Sequence, residues 1–318
     1  MVEAALEAPN GVSAAPRALH RWWVYQRERF PLLAHGPLIA AFSASGVSFS
    51  AALRGAHGLT AVTLAAAFAT ALCFFLQLRV SDEIKDAEED ARFRPYRPVP
   101  RGLVTLRELR LLAGIAALAQ VAIAILVDVR LLALLAVVWA YMALMQAEFF
   151  ARGWLRARPL TVLWTHMLVM PLIDFYVTAC DWLPAHAPIS PGLRWFLVAS
   201  FFNGIVVEIG RKMRAPSDEE TGVDSYTSLW GRGRAVGSWL VVMSASLLCA
   251  TLAARVVGGG VWVLAILAAL WLCALHAGVA FTRTPRVGSG RRLETLAGVW
   301  TLAVYISLGV APWVARHG

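Results

Sequence analysis

The sequence predicts an all-α, polytopic membrane fold in which nine transmembrane helices form one bundle. Three observations lead there. Of 318 residues, 59% are apolar and 15% charged, with a mean hydropathy of +0.63, whereas a soluble domain carries roughly 25% charged residues. Too few polar side chains exist to cover a soluble surface, which excludes a disordered chain and argues against a soluble enzyme. Apolar runs long enough to cross a bilayer recur along the chain. Finally, the basic residues between those runs alternate in abundance.

Taken in order, the predicted spans are 34–53, 58–78, 111–127, 131–147, 160–180, 192–209, 235–254, 261–281 and 295–315, each near the roughly 17–25 residues a bilayer requires. The first thirty residues hold Glu3, Glu7 and Arg17 and no early apolar core, so no cleavable signal peptide is expected. Residues 1–30 read instead as a cytoplasmic amphipathic segment in which Arg21, Trp22, Trp23, Tyr25, Arg27, Arg29 and Phe30 suit a membrane interface. Residues 31–318 then form a single transmembrane domain with two long polar loops, 79–110 and 210–234.

Charge sets the orientation. Of the 29 Lys and Arg, all but Arg54, Arg130, Arg194, Arg255 and Arg316 fall on one side of a nine-span chain. Lys and Arg accumulate on the cytoplasmic side, so both long loops and the N-terminus are expected there, with the C-terminus outside a cell (cytoplasmic) membrane. The net charge of +9 is then a topology signal, and no nucleic-acid partner is called for. Cys73, Cys180, Cys249 and Cys273 stand alone in or beside apolar runs, as inert small hydrophobes do. Gly231, Gly233 and Gly237 follow no predicted strand and match no dinucleotide-binding pattern.

The chemistry concentrates where the second span ends. Residues 77–90 read QLRVSDEIKDAEED. Asp82, Asp86 and Asp90 recur every fourth residue, and each such step drifts only about 40° around a helix, so all three carboxylates share one face. Like charges at that spacing repel. A hard divalent cation relieves the repulsion, and Mg²⁺ takes oxygen ligands while bridging carboxylates to phosphates; a solvated helix end is the plainer alternative. Residues 94–102 read RPYRPVPRG. Prolines cannot continue a helix, so the chain turns and Arg94, Arg97 and Arg101 can reach back toward the acidic face. Guanidinium forks bind phosphate oxygens in pairs, which fits a diphosphate seated between arginines and a metal.

DEIKDAEED followed by RPYRPVPRG resembles the first aspartate-rich motif of the UbiA superfamily of intramembrane prenyltransferases, written N/D-D-x-x-D-x-x-x-D and then R-P-x-P-x-G. The matching positions are Asp82, Glu83, Asp86 and Asp90, then Arg97, Pro98, Pro100 and Gly102. Nine spans with two polar loops on one side also resemble that family. The resemblance implies that Asp82, Asp86 and Asp90 bind Mg²⁺ and the diphosphate of an isoprenoid donor, with Arg94, Arg97 and Arg101 as diphosphate contacts.

The family's second aspartate-rich motif ends in a G-x-x-[TS]-x(5)-G tail, and EIGRKMRAPSDEETGVDSYTSLWG occupies its place. Gly222, Ser225 and Gly231 fit the tail, and Asp218 falls where an acidic metal ligand is expected. Upstream, Glu208 and Lys212 replace the usual aspartates. They suit an i,i+4 ion pair, in which Glu208 would hold Lys212, beside Arg211, against a phosphate. In the fourth span Tyr141 fits a family contact to the diphosphate, but Met145 and Gln146 stand where Lys-Arg is usual, and Glu148 follows.

Ionisable groups at membrane depth face bundle interiors, and Glu148, His166, Asp174 and Glu208 qualify. Glu148 and His166 lie near the same ends of their spans and are expected to meet, either as a buried pair or as a base. Phe74, Phe75, Phe149, Phe150, Trp164, Phe175, Tyr176, Phe201 and Phe202 serve packing, or shield an allylic cation.

The resemblance therefore implies a Mg²⁺-dependent enzyme of the class that transfers alkyl groups other than methyl. It would move an isoprenoid chain from an allylic diphosphate to an unidentified aromatic or other small acceptor within the bilayer. Asp82, Asp86, Asp90, Glu148 and Glu208 are the expected catalytic groups. A terpene cyclase on the same fold, a polyprenyl-phosphate glycosyl-type transferase, and a membrane transporter or permease stay open. Against transport, most acidic charge sits at one membrane face, and no inverted repeat or broken-helix pair is visible.

Overall fold

The computed structural model describes residues 14–317; the expected features at Glu3 and Glu7 lie outside the described residues. Its helices are α1 (Ala14–Arg29), α2 (Leu32–Leu53), α3 (Ala61–Lys85), α4 (Ala87–Phe93), α5 (Leu106–Val127), α6 (Leu131–Gln146), α7 (Arg152–Arg156), α8 (Pro159–Met167), α9 (Val169–Trp182), α10 (Leu193–Arg211), α11 (Tyr226–Trp230), α12 (Arg232–Val256), α13 (Gly260–Arg283) and α14 (Ser289–His317). No strand occurs among the described residues.

Among the described residues, eight helical stretches are long and apolar enough to cross a membrane, with α8 and α9 counted together. The fourth predicted span, 131–147, coincides with α6, an apolar helix of 16 residues that is shorter than the other eight. It stops at Gln146 because the chain there enters a left-handed turn. The protein is a multi-pass membrane protein. Leu111, Leu118, Leu126, Val261 and Leu272 are exposed on its outer surface, as side chains facing lipid should be. Cys273 is also exposed and Cys73 half-buried, so only Cys180 and Cys249 fit the expectation of buried thiols.

The ring closes where α2 packs on α14. Small residues permit the approach: a Cβ on Gly309 of α14 would stand 3.0 Å from Ser45 of α2, and likewise one on Gly46 of α2 would stand 2.8 Å from Val177 of α9 and one on Gly210 of α10 would stand 2.6 Å from Ala297 of α14. Such contacts drive association where lipid removes the hydrophobic contrast. Polar groups satisfy one another across helices. Gln77 donates to Gln120 at 2.9 Å and Trp139 donates to the same oxygen at 3.2 Å, joining α3, α5 and α6. Deeper in the bundle, buried Asp174 accepts from Tyr305 at 3.2 Å.

The two ends differ. At one, Arg54 clasps Asp181 with two bonds of 2.9 and 2.8 Å while Ser50 donates to the same carboxylate, and Arg130 grips Asp128, whose carboxyl it holds down at about 2. Both loops of the sequence reading lie at the other, basic end. Arg54→Ala would leave buried Asp181 with Ser50 alone, so we expect a loss on the order of 3 kcal/mol. Thermal unfolding in detergent measures it, and adding Asp181→Asn should recover most of the loss.

Candidate active site at the basic end

The acidic row survives a break in the helix. Asp86 leaves helical geometry at φ −92°, ψ 5°, yet its N–H bonds the Asp82 carbonyl at 2.9 Å and the Asp90 N–H bonds the Asp86 carbonyl at 2.8 Å. The four-residue spacing thus carries from α3 into α4. The fates of the side chains diverge. Asp90 is buried and accepts from Arg94 at 2.9 Å and from Arg97 at 2.6 Å. Those guanidiniums, expected to face a phosphate, are spent on Asp90, because the turn through Pro95, Pro98 and Pro100 folds them straight back onto it. Arg101 turns outward to the Tyr96 carbonyl at 3.0 Å and to Glu28 at 2.9 Å. Glu83 is buried against Arg29 and ties α1 to the bundle.

Two carboxylates of the row keep their charge open. Asp82 is exposed, and its single ion pair among the described residues is a loose one, with Arg79 at 3.7 Å. Asp86 has no hydrogen bond or ion pair from its side chain among the described residues. Burial, and after it the charges of Asp82 and Asp90, push its carboxyl above the usual carboxylate range.

The second loop locks itself and then the first. Glu208, buried at the end of α10, lies between Arg211 at 2.5 Å and Lys212 at 2.8 Å, so the i,i+4 pair is present and widened to three charges. Asp218 accepts from the Gly288 N–H at 2.7 Å and is spent on the connection before α14. Glu219 accepts from Ser225 at 2.7 Å and Thr227 at 2.9 Å. Gly222 sits at φ +76°, and a Cβ there would stand 2.5 Å from the Phe93 ring. Only glycine suits both demands, and this contact seats the second loop on the first. Glu220 completes the seam, accepting from Tyr96 at 3.4 Å and standing 4.0 Å from Arg94 of the first loop, while Arg214 holds it from its own loop at 2.9 Å.

Between α3, α8 and the second loop lies a cavity of about 190 Å³, with Lys85, Glu148, Arg156, His166, Lys212 and Tyr226 on its wall. Lys85 Nζ stands 3.0 Å from Glu148 and 3.5 Å from His166 Nε2. The expected meeting of Glu148 with His166 therefore runs through a lysine. Tyr141, expected at the diphosphate, donates instead to the Thr165 carbonyl at 2.6 Å. Gln146, where a basic residue was looked for, bonds Ser81. Phe149 packs edge-on against Tyr141 and His166, while Phe150 and Trp164 face outward, so the aromatic set does not form one wall.

The backbone is forced where it delivers Glu148. Glu148, Phe149 and Phe150 have φ of 47°, 51° and 57°, a left-handed turn without glycine that costs roughly 1–3 kcal/mol per residue. Lys85, Arg156 and Tyr226 were not singled out from sequence. Lys85 lies three residues after Asp82, off the four-residue row, and Arg156 counted only toward topology. The spacing of Asp82 and Lys85 was the available signal.

No three His, Cys, Asp or Glu side chains among the described residues converge as a metal cage. A protein-only cage is not what Mg²⁺ needs, since one or two carboxylates suffice when phosphate and water complete the octahedron. Asp82 and Asp86 fit that share, and the uncompensated charge on Asp86 is the observation that says so. Asp90 and Asp218 are already spent.

A sequence profile described as the UbiA prenyltransferase family matches residues 39–299. No curated protein matches the chain. Among solved structures, one described as the apo structure of a UbiA homolog from Aeropyrum pernix K1 is similar at 20% identity and a TM-score of 0.65, over 89% of this chain and 98% of that one. A structure reported for digeranylgeranylglyceryl phosphate synthase in membranes is similar at 13% identity and a TM-score of 0.61, over 92% of this chain and 99% of that one. At these identities the likeness is one of fold.

The state of Asp86 makes a prediction. In chelator, Asp86→Asn should raise the unfolding temperature by relieving like-charge repulsion of about 0.2–0.5 kcal/mol per pair. Added Mg²⁺ should stabilise the wild type and leave Asp86→Asn unmoved. Scanning calorimetry in detergent with and without Mg²⁺ reads both, and a wild type indifferent to Mg²⁺ combined with a variant no more stable would overturn the assignment.

Proposed function

The chain belongs to the UbiA prenyltransferase family, and from that premise we propose that it moves an isoprenoid chain from an allylic diphosphate to a small acceptor inside the membrane, with Mg²⁺ as cofactor. One juxtaposition carries the reading: Asp82, with Arg79 no nearer than 3.7 Å, and Asp86, with no side-chain ion pair among the described residues, stand at the same end of the bundle as a cavity walled by Lys85, Arg156 and Lys212. That end is where a diphosphate would stay while its apolar chain enters the bilayer. The basic excess there supports a cytoplasmic orientation.

Each residue then has a task. Asp82 and Asp86 hold the metal, which when bound supplies Lewis-acid neutralisation of the leaving diphosphate. Lys212 and Arg211 meet phosphate oxygens, and buried Glu208 fixes both cations so that little reorganisation accompanies the charge that develops as the C–O bond breaks. Asp90, Arg94 and Arg97 act one step removed, holding the proline-rich turn. Asp218 does the same for the second loop. The synthase named among the structural neighbours adds weight to transfer over self-capture by the chain.

The test is direct. Protein in liposomes receives geranylgeranyl diphosphate and Mg²⁺, and diphosphate release is followed. Asp82→Asn and Asp86→Asn should each lower the rate at least about 100-fold, and chelation should abolish it. Full activity in either variant removes the proposal.

A further inference from the structure

His166 is held in a single tautomer by its surroundings. Its Nδ1 lies 2.9 Å from the Val162 carbonyl. A carbonyl only accepts, so Nδ1 carries the proton and Nε2 carries the lone pair. Thr165, also near Nδ1, already donates to the Thr161 carbonyl at 2.6 Å. The lone pair on Nε2 faces the cavity wall, where its neighbour is the Lys85 ammonium at 3.5 Å. That contact is the longer of the two Lys85 makes; Glu148, at 3.0 Å, is the closer partner. Glu148 reaches this place only through the left-handed turn at residues 148–150. Strain of that kind persists where the surroundings impose it, and it clusters at working sites. A structural lysine–glutamate pair needs no imidazole lone pair beside it. Three groups from α3, the 148–150 turn and α8 therefore converge on one small cavity, and one of them is a neutral nitrogen base.

The cavity bounds the ligand. Its volume is about 190 Å³, and an apolar cavity of roughly 150 Å³ takes up benzene. Leu155, Val162 and Leu229 supply apolar wall, so a single ring or a group of like size fits.

We propose that His166 Nε2 is the base that takes the proton from a hydroxyl-bearing acceptor seated in this cavity, and that Lys85 caps the lone pair until the donor's diphosphate draws its ammonium away. The inference rests on the prenyl-transfer reading and names the acceptor's place within it. In the step, the C–O bond to diphosphate breaks and its electron pair leaves with the diphosphate. The acceptor oxygen forms the new bond to that carbon. Its proton passes to Nε2, Nδ1–H stays on the Val162 carbonyl, and Glu148 offsets the imidazolium until the proton leaves for solvent. No oxidant or further reactant is needed. The cap also explains why a base can sit beside a reactive allylic centre: it becomes available only once the diphosphate is in place.

Two measurements on the full chain in liposomes decide it. Histidine ¹⁵N NMR, with Mg²⁺ and inorganic pyrophosphate as the probe, should show the His166 Nε2 signal moving on pyrophosphate binding, whereas in Lys85→Met it should stand at the uncapped position from the start. With geranylgeranyl diphosphate as donor and phenol as the acceptor probe, His166→Gln should lower kcat for transfer at least about 100-fold while donor KM stays within about 2-fold. A signal that stays still while pyrophosphate binds, or transfer at the wild-type rate in His166→Gln, overturns the proposal; the NMR result stands even if the variant fails to fold. Failure of pyrophosphate to bind the wild type with Mg²⁺ would instead remove the prenyl-transfer reading, and this inference with it, so the two failures are told apart.

Discussion

Charge compensation at the end of an apolar bundle is the constraint on which the rest depends. Ionised groups beside lipid-facing helices are costly unless paired. Most carboxylates at the basic end obey this: Glu83 has Arg29, Asp90 has Arg94 and Arg97, and Glu208 has Arg211 and Lys212. Against that background an acid without a partner carries information. Asp86 has none among the described residues, and Asp82 has a distant one. Glu88 and Glu89 also lack ion pairs among the described residues but stand in solvent, whereas Asp86 is half-buried, and it is this burial without a salt bridge that suits a positive charge from outside.

The same accounting separates what was readable in the sequence from what was not. The spans were readable because an apolar run of some twenty residues has few other uses, and the stretch at 131–147 forms the shorter apolar helix α6. The acidic row was readable because a four-residue spacing maps onto one face, and it persisted through the break at Asp86. Which members of the row stay open was not readable. That depends on how three prolines direct Arg94 and Arg97, and proline says where a chain turns without saying what it then faces. Arg101, one turn further on, goes the other way to Glu28.

Lys85 and the 148–150 turn were hidden for different reasons. A lysine within an acidic run reads as local neutralisation, and nothing in its spacing announces a partner on α8. The left-handed turn carries no glycine or asparagine, the residues that ordinarily mark positive φ. Glu-Phe-Phe adopts it here against intrinsic preference, held by Lys85 on one side and by the packing of Phe149 on Tyr141 and His166 on the other. Local preference and tertiary demand disagree in these three residues, and such disagreements tend to fall at functional sites.

The asymmetry of the two ends completes the argument. At the sealed end Arg54 and Arg130 each close on a single aspartate, with Ser50 and the Leu183 carbonyl taking up the remaining hydrogen bonds. At the basic end the loops are long, and they brace each other through Gly222 against Phe93 and Glu220 against Tyr96 and Arg94. Rigidity there comes from the loops' own cross-ties and from pairs such as Glu83 with Arg29, which leaves Asp82 and Asp86 free of a bracing duty. Solved structures of 13% and 20% identity show that the helical frame tolerates wide sequence change. In this chain Lys85, Glu148 and His166 meet at one cavity of that frame. The missing basic pair after Tyr141 is consistent with this, because Lys85 and Lys212, coming from the two polar loops, bring positive charge to the same cavity.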